Sequence, residues 1–269
     1  MPTWICVTCG VEYPPSETPP AHCPICEDER QYVKAGGQAW TTRAEIAATR
    51  TLEWRDQEPG LAGIGGSPQV AIGQRTLFVA QPGGGVMWEG IPVLDKAVRD
   101  RIAASRGVRA MAMSHPHLHS AMVSVSEELG GVPIYLHEDD REWLMRPSPL
   151  VRLWSGETLD LGQGITLIRC GGHFEGSAVL HWRDGAGGKG VLMTGDTMQG
   201  AADTRWVSFM RSYPNMIPLP ADKVRSIVSA VEPFAFDRLY GAWWDKIVAA
   251  DAKGAVRRSA ERYIRAIGG

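Results

Sequence analysis

The fold of this chain is decided by one stretch, Ser114-His-Pro-His-Leu-His-Ser120, which follows the apolar run of residues 108–113. The apolar run predicts a short buried strand, and three of the seven histidines alternate over five positions at its end. Because alternate residues of an extended segment point to one side, the three imidazoles can converge on one point. Neutral imidazole binds zinc or iron well, so the stretch predicts a metal site. The alternative is a polar loop whose histidines only cap the following helix.

The overall composition is that of an ordinary globular protein. The 269 residues are 44% apolar and 22% charged, and the formal net charge of −2 gives no electrostatic signature of nucleic-acid binding. The sequence contains no uninterrupted run of eighteen apolar residues, so no transmembrane helix and no membrane partner are expected. The first residues, Met-Pro-Thr-Trp-Ile-Cys, do not resemble a secretory signal, so we expect a cytoplasmic protein whose paired cysteines hold metal.

The N-terminal segment contains a second predicted metal site. Two C-x-x-C pairs separated by thirteen residues place four thiolates so that they can surround one ion; the ligands are Cys6, Cys9, Cys23 and Cys26. Because a segment of about 35 residues cannot bury enough apolar surface to fold alone, the metal should supply most of its folding energy. A pair of disulfides is the alternative. The motif resembles the metal-binding knuckles of rubredoxin-like domains and zinc ribbons, a resemblance that does not choose between iron and zinc.

Residues 34–38 predict a linker, so we place the four-cysteine module at 1–38 and a larger domain at 39–269. The larger domain alternates predicted strands and helices, which indicates an α/β class. Residues 70–72 and 76–79 predict a hairpin. His173 follows a predicted strand that ends in two glycines, and Asp196 lies on a strand-end turn. Each could bind metal, and the alternative for Asp196 is an Asx turn. His181 is expected to face solvent.

The histidine stretch, Gly172-His173 and Thr194-Gly195-Asp196 together resemble the metallo-β-lactamase-fold hydrolases, over roughly residues 50–269. The resemblance implies a four-layer αβ/βα sandwich with metal between the edges of two sheets. It also implies that His115, His117 and His173 bind the first metal. Asp196 matches the carboxylate that reaches or bridges the second.

Three positions depart from the family pattern. His119 stands where the family has an aspartate, Ser120 stands where it has a histidine, and no histidine follows His181. The expected late histidine is replaced by Tyr240 or Gly241. One metal, held by the three histidines and Asp196, is therefore the expectation. His119 could be a general base, a proton shuttle or a supporting residue, and Tyr240 could stabilise an oxyanion or be structural.

The leading hypothesis is a metal-dependent hydrolase that uses a metal-bound hydroxide on an ester, thioester, lactone or similar small substrate. The predicted catalytic residues are His119, Asp196 and Tyr240. An aromatic and proline-rich stretch, residues 206–244, could line an apolar pocket. Zinc is expected at both sites, with iron possible at either. The alternatives are an iron redox enzyme whose four-cysteine module passes electrons, and a catalytically degenerate binding protein. A homo-oligomer is possible.

Overall fold

The four cysteines are enclosed by a small N-terminal module in this computed structural model, which describes residues 1–269. Its elements are β1 (Ile5–Cys6), α1 (Pro24–Glu27) and β2 (Trp40–Thr41). Strands β1 and β2 pair antiparallel, so the module is closed by residues just beyond the linker predicted at 34–38. Gly10, after the first cysteine pair, has φ +82°, a left-handed conformation that glycine adopts without strain.

The larger domain begins with a seven-stranded sheet. Its strands, in order across the sheet, are β3 (Thr51–Glu58), β4 (Leu61–Ser67), β5 (Arg75–Val79), β6 (Gly85–Trp88), β7 (Val108–Ala112), β8 (Ile134–His137) and β9 (Val151–Trp154). Strands β3 to β6 run antiparallel to their neighbours, whereas β6 to β9 are parallel. The parallel half therefore aligns the carboxyl ends of its strands along one edge, which is where the histidine stretch follows β7.

A six-stranded sheet faces the first one. Its strands, in order across the sheet, are β10 (Thr158–Gly162), β11 (Ile165–Arg169), β12 (Ala178–Trp182), β13 (Val191–Met193), β18 (Arg238–Tyr240) and β19 (Ile247–Val248). Two short hairpins lie between β13 and β18; they are β14 (Gln199–Gly200) with β15 (Val207–Ser208), and β16 (Met210–Ser212) with β17 (Ile217–Pro218). Buried side chains of both sheets, among them Trp88, Leu167 and Leu180, form one core between them.

The larger domain also contains six α-helices and two 3-10 helices. They are α2 (Arg43–Thr49), α3 (Lys96–Ala104), α4 (Met122–Glu128), the single turn α5 (Gly185–Gly188), α6 (Ala221–Val231) and α7 (Ala252–Ala266), with 3-10 helices at Pro116–Leu118 and Glu138–Trp143. Helices α3 and α4 pack on the first sheet, and α6 and α7 pack on the second. The predicted four-layer αβ/βα sandwich is therefore confirmed. None of the helices combines the length and apolar character needed to cross a membrane.

The hairpin predicted for residues 70–72 and 76–79 is wrong. Strand β5 pairs instead with β4, whose sequence, Leu-Ala-Gly-Ile-Gly-Gly-Ser, is too glycine-rich to indicate a strand by propensity. Tertiary packing explains the glycines, because a Cβ atom on Gly63 or Gly65 would lie within 3.0 Å of the Trp244 ring. Residues 70–72 form a turn beside the module, with Ala71 at φ +53°.

The expectation that His181 faces solvent is also wrong. Its side chain is buried, and its Nε2 lies 2.8 Å from the Ala235 carbonyl oxygen. The strand that carries it, β12, is central in its sheet, so helices cover the face that we expected to be open. The period-two pattern of a strand does not distinguish a solvent face from one covered by helices.

Candidate metal centre

Three loops from two sheets bring four potential ligands together. His115 and His117 follow β7, His173 follows β11, and Asp196 follows β13. One nitrogen or oxygen atom from each lies within 4.8 Å of those of the other three, and all four residues are buried. Fifty-six residues separate His117 from His173, so the fold and not local sequence assembles this group.

The distances between these atoms match a tetrahedral ion. His115 Nε2 lies 3.2 Å from Asp196 Oδ2, and His117 Nδ1 lies 3.3 Å from His173 Nε2. The other distances to Asp196 Oδ2 are 3.7 Å from His173 Nε2 and 3.9 Å from His117 Nδ1. Ligands of tetrahedral zinc are separated by about 3.3 Å, from bond lengths of about 2.0–2.1 Å. The four residues therefore fit one divalent ion.

Hydrogen bonds on the outer side of this group orient its members. Ser114 Oγ lies 2.7 Å from His115 Nδ1, and His173 Nδ1 lies 3.1 Å from the Met210 carbonyl oxygen, to which it donates. Gln199 Nε2 donates to Asp196 Oδ1, which leaves Oδ2 directed at the imidazoles. Partners of this kind fix the tautomer and ring orientation of metal ligands. The buried Nε2 of His115 has no hydrogen-bond partner, as expected for an atom that binds metal.

The protonation states suit metal binding. Burial lowers the pKa of His117 to about 4 and lowers that of His173 well below its usual value, so both imidazoles are neutral near pH 7. Burial alone would raise the pKa of Asp196, but contacts with His115 and His117 outweigh that effect and lower it. Neutral imidazoles and a carboxylate are the forms that coordinate a metal ion.

The four cysteines form a second tetrahedral group. The sulfur atoms of Cys6 and Cys26 are 3.5 Å apart and those of Cys9 and Cys23 are 3.7 Å apart, close to the roughly 3.8 Å expected around zinc. All of them are free thiols, so the disulfide alternative is excluded. The Tyr13 hydroxyl and the Gln38 amide each donate to a sulfur atom at 3.2 Å, which favours thiolate ligands.

A cavity of about 380 Å³ opens beside His117 and Asp196. Both the module and the late loops line it; the other residues are Gln31, Tyr32, Ile72, Gln199, Tyr213, Pro214, Trp243, Asp245 and Lys246. The stretch predicted to form a pocket wall, residues 206–244, therefore contributes three aromatic or proline side chains. The rest of that stretch does not line it: Phe209 packs in the helix-covered core and Met216 is 80% exposed.

His119 lies outside the metal-binding group. The sequence argument treated residues 115–119 as extended, but Pro116–Leu118 form a 3-10 helix that turns the chain. The His119 side chain is buried away from the cavity, both its ring nitrogens lack hydrogen-bond partners, and burial lowers its pKa to about 3. A catalytic role for His119 stays a prediction without a contact that supports it.

Tyr240 and Ser120 are placed away from the cavity as well. The Tyr240 hydroxyl donates to Glu58 Oε1 at 2.9 Å, and burial together with this bond raises its pKa to about 12. Ser120 has φ +48°, and its carbonyl oxygen accepts from the Glu12 amide in the module. The predicted oxyanion role of Tyr240 therefore also stays a prediction.

The sequence argument missed several residues that support the site. Glu89 follows β6, its Oε2 accepts from the Ser114 amide at 3.1 Å, and burial raises its pKa to about 8. An acidic residue directly after a buried strand could have indicated such a position. Glu12 and Arg30 gave no comparable signal, because their partners in the larger domain lie more than a hundred residues away. Gln199 is only three residues from its partner Asp196, but a lone glutamine indicates no such role.

Comparison with protein-family models finds no match. Solved structures with a similar fold include VMB-1, at a TM-score of 0.60 and 14% identity, covering 82% of this chain and 100% of that chain. The DIM-1 metallo-β-lactamase has a TM-score of 0.57 at 14% identity, covering 81% of this chain and 98% of its own. The mono-zinc form of the FIM-1 metallo-β-lactamase from Pseudomonas aeruginosa reaches 0.57 at 12% identity, covering 78% and 95%. These likenesses establish the metallo-β-lactamase fold.

A curated relative resembles the chain over almost its whole length. This relative is the uncharacterized protein YmaE of Bacillus subtilis (strain 168), which is 47% identical over 269 residues. The match covers 99% of this chain and 97% of the relative, so it includes the four-cysteine module as well as the sandwich. The chain therefore belongs to the same protein family as YmaE, and its larger domain has the metallo-β-lactamase fold.

Proposed function

We propose that the protein is a metal-dependent hydrolase that cleaves an ester, thioester, lactone or similar small substrate at a single-metal site. The observation that carries the proposal is the tetrahedral spacing of three imidazoles and one carboxylate beside a cavity. A cavity of about 380 Å³ is in the range that small-molecule ligands occupy. Zinc is the metal we propose for both sites, with iron as the alternative.

A zinc or iron ion held there would act as a Lewis acid and lower the pKa of a bound water. The side chains around the ion would determine how the substrate approaches and where the proton of the water goes. Of the four ligands, only His117 and Asp196 line the cavity, so a substrate carbonyl approaches the site from their side. In the catalytic arrangement the three imidazoles would hold the ion. We assign to Asp196 Oδ2 the acceptance of a proton from the nucleophilic water, because the carboxylate is ionised and Gln199 holds its Oδ1 in place.

The cavity wall favours a substrate with an apolar body. Tyr32, Tyr213 and Trp243 provide aromatic surface, and the Trp243 indole nitrogen donates to the Ile72 carbonyl oxygen, which fixes its ring. Lys246 lies 3.1 Å from Asp245, so its charge is partly balanced within the cavity. Aromatic surface combined with polar groups that can orient a ligand is typical of small-molecule sites.

The test is hydrolysis by protein loaded in turn with zinc, iron, manganese or cobalt, against esters, thioesters, lactones and phosphoesters. We expect turnover of at least one class, and a loss of about a hundredfold or more in His117→Ala and Asp196→Asn. The matched control is His22→Ala, because His22 is an exposed module histidine outside both metal groups. Stoichiometric metal at the histidine site without hydrolysis of any class would overturn the proposal.

A redox function is the second candidate. It is favoured by one observation, the contact of the buried four-cysteine module with the loop that carries His173. Iron held by four thiolates transfers electrons in other proteins, so the arrangement could deliver electrons to the histidine site. Visibly coloured, iron-containing protein would support this candidate, and colourless zinc protein purified from iron-replete cells would contradict it.

A further inference from the structure

We propose that Arg30 is a positioning residue that couples the four-cysteine module to the histidine site, so that metal binding by the cysteines strengthens metal binding by the histidines. The proposal rests on the metal occupancy assumed in the proposed function, but it does not depend on hydrolysis. Arg30 is only 8% exposed, although it carries a permanent charge. A buried guanidinium needs partners on several sides, and here those partners belong to both parts of the chain.

On the module side, Arg30 is fixed close to a cysteine ligand. Helix α1, which contains Cys26, ends at Glu27, and the amide of the capping residue Asp28 donates to the Pro24 carbonyl oxygen at 3.1 Å. The Asp28 carboxylate accepts from the Arg30 amide at 2.9 Å, from Nε at 2.6 Å and from Nη2 at 2.9 Å. This bidentate pair with a backbone bond leaves the guanidinium little freedom while the cysteine site is intact.

On the other side, Arg30 contacts the support of the imidazoles. Its Nη1 donates to the His173 carbonyl oxygen at 3.3 Å, and its guanidinium carbon lies 3.7 Å from the centroid of the Phe174 ring. That ring in turn lies 5.0 Å from the His117 ring, 5.3 Å from His173 and 5.8 Å from His115, between centroids. Arg30 therefore binds the backbone of one metal ligand, His173, and packs on the Phe174 ring, which contacts all three histidines.

The same segment also fixes the loop that orients His173 from its other nitrogen. The Arg30 carbonyl oxygen accepts from Ser212 Oγ at 3.1 Å, two residues after Met210, the acceptor for His173 Nδ1. Asn215 Nδ2 donates to the carbonyl oxygens of Glu29 and Gln31 at 2.9 and 2.8 Å. Loss of order in residues 28–31 would thus loosen His173 at its carbonyl and at its ring.

The coupling free energy is the same for both metals, but the loss of each metal disturbs the chain to a different extent. Arg30 is anchored on Asp28 within the module, so removal of metal from the histidine site leaves that anchor in place. Removal of metal from the cysteines releases α1 and the segment that follows it, because the module has little core besides its ligands. The four-cysteine site therefore acts as a condition for tight metal binding at the histidine site.

The experiment measures zinc affinity at the histidine site of the full-length chain by competition with a chromophoric chelator. We expect Arg30→Ala to weaken that affinity by about tenfold, the scale of lost outer hydrogen bonds around metal ligands. Cobalt substitution of the same protein reports the cysteine site separately, through its thiolate absorption, which should persist. The control is Arg211→Ala, which removes a more exposed ion pair with Glu29 in the same interface but no side-chain contact to a histidine.

Wild-type zinc affinity in Arg30→Ala, or an equal loss in Arg211→Ala, would overturn the proposal. If Arg30→Ala loses the thiolate absorption, Arg30→Lys decides, because it keeps a cation above Phe174 without the bidentate fork. A smaller loss of zinc affinity in Arg30→Lys supports the coupling. Unchanged histidine-site affinity in a variant whose module has lost its metal contradicts it. An absence of hydrolysis would contradict only the proposed function and not this coupling, because the zinc affinity of the histidine site is measured without substrate.

Discussion

The two metal-binding groups have the same tetrahedral arrangement but differ in how the chain builds them. The four cysteines lie within twenty-one residues, and a module with a minimal core holds them. The histidine group takes its ligands from three loops on two sheets, and large apolar cores hold those loops in place. Local sequence thus makes the first site, whereas tertiary structure makes the second.

The surroundings of the two sites differ just as much. The cysteine sulfurs are buried and receive hydrogen bonds from Tyr13 and Gln38, so four protein ligands close that site. The histidine group borders the cavity through His117 and Asp196. A closed site supplies folding energy, and a site that reaches a cavity can meet a substrate. The predictions below test this division of roles, beginning with the largest expected effect.

Cys23→Ser should lose the cysteine-site metal and unfold the module, because that metal is worth on the order of 10 kcal/mol to a small metal-bound domain. Through Arg30 it should also weaken zinc binding at the histidine site. His117→Ala should remove only the histidine-site metal and leave the module folded. Metal analysis with the cobalt thiolate spectrum measures both. Loss of both metals from His117→Ala would show that the two sites are not built independently.

Glu12→Gln should lower the free energy of unfolding by about 3 kcal/mol, because it removes the charge of a buried carboxylate that several donors share. Glu12 accepts from the amides of Val123 and Ser124 at 2.8 and 2.9 Å and pairs with Arg146 at 2.7 Å. Denaturant titration measures the loss. The control is Glu127→Gln, an exposed partner of the same arginine, which should cost less than about 1 kcal/mol. Equal losses would show that Glu12 does not anchor the module.

Tyr32→Ala should raise KM severalfold and change kcat little, once a substrate is identified, because it removes cavity wall away from the metal ligands. Steady-state kinetics measure this effect. Val33→Ala is the control, since Val33 is equally exposed and does not line the cavity. Unchanged KM in Tyr32→Ala would mean that the module does not contribute to substrate binding.

Tyr240→Phe should have the smallest effect, a loss of about 1 kcal/mol in the free energy of unfolding with activity within twofold of the wild type. Its hydroxyl donates to Glu58 and does not reach the cavity. Thermal unfolding and a hydrolysis assay measure the two quantities. A hundredfold loss of activity would instead support the oxyanion role predicted from the sequence.

The sequence was sufficient for features that depend on neighbouring residues. The C-x-x-C spacing identified the cysteine group, and the histidine stretch with His173 and Asp196 indicated both the fold and the residues that the structure brings together. It was insufficient where packing from distant residues decides. Gly63 and Gly65 leave room in β4 for the Trp244 ring, and the 3-10 helix at Pro116–Leu118 removes His119 from the group. The contacts of Glu12 and Arg30 with the larger domain span more than a hundred residues, which no local pattern can reveal.

The most direct test of two separately built metal sites is elemental analysis of freshly purified protein, with metals counted per chain in the wild type and in His117→Ala. We predict two metals in the wild type and one, still bound by thiolates, in His117→Ala. A wild-type protein with a single metal that His117→Ala retains would contradict the account, because the histidine group would then hold no metal.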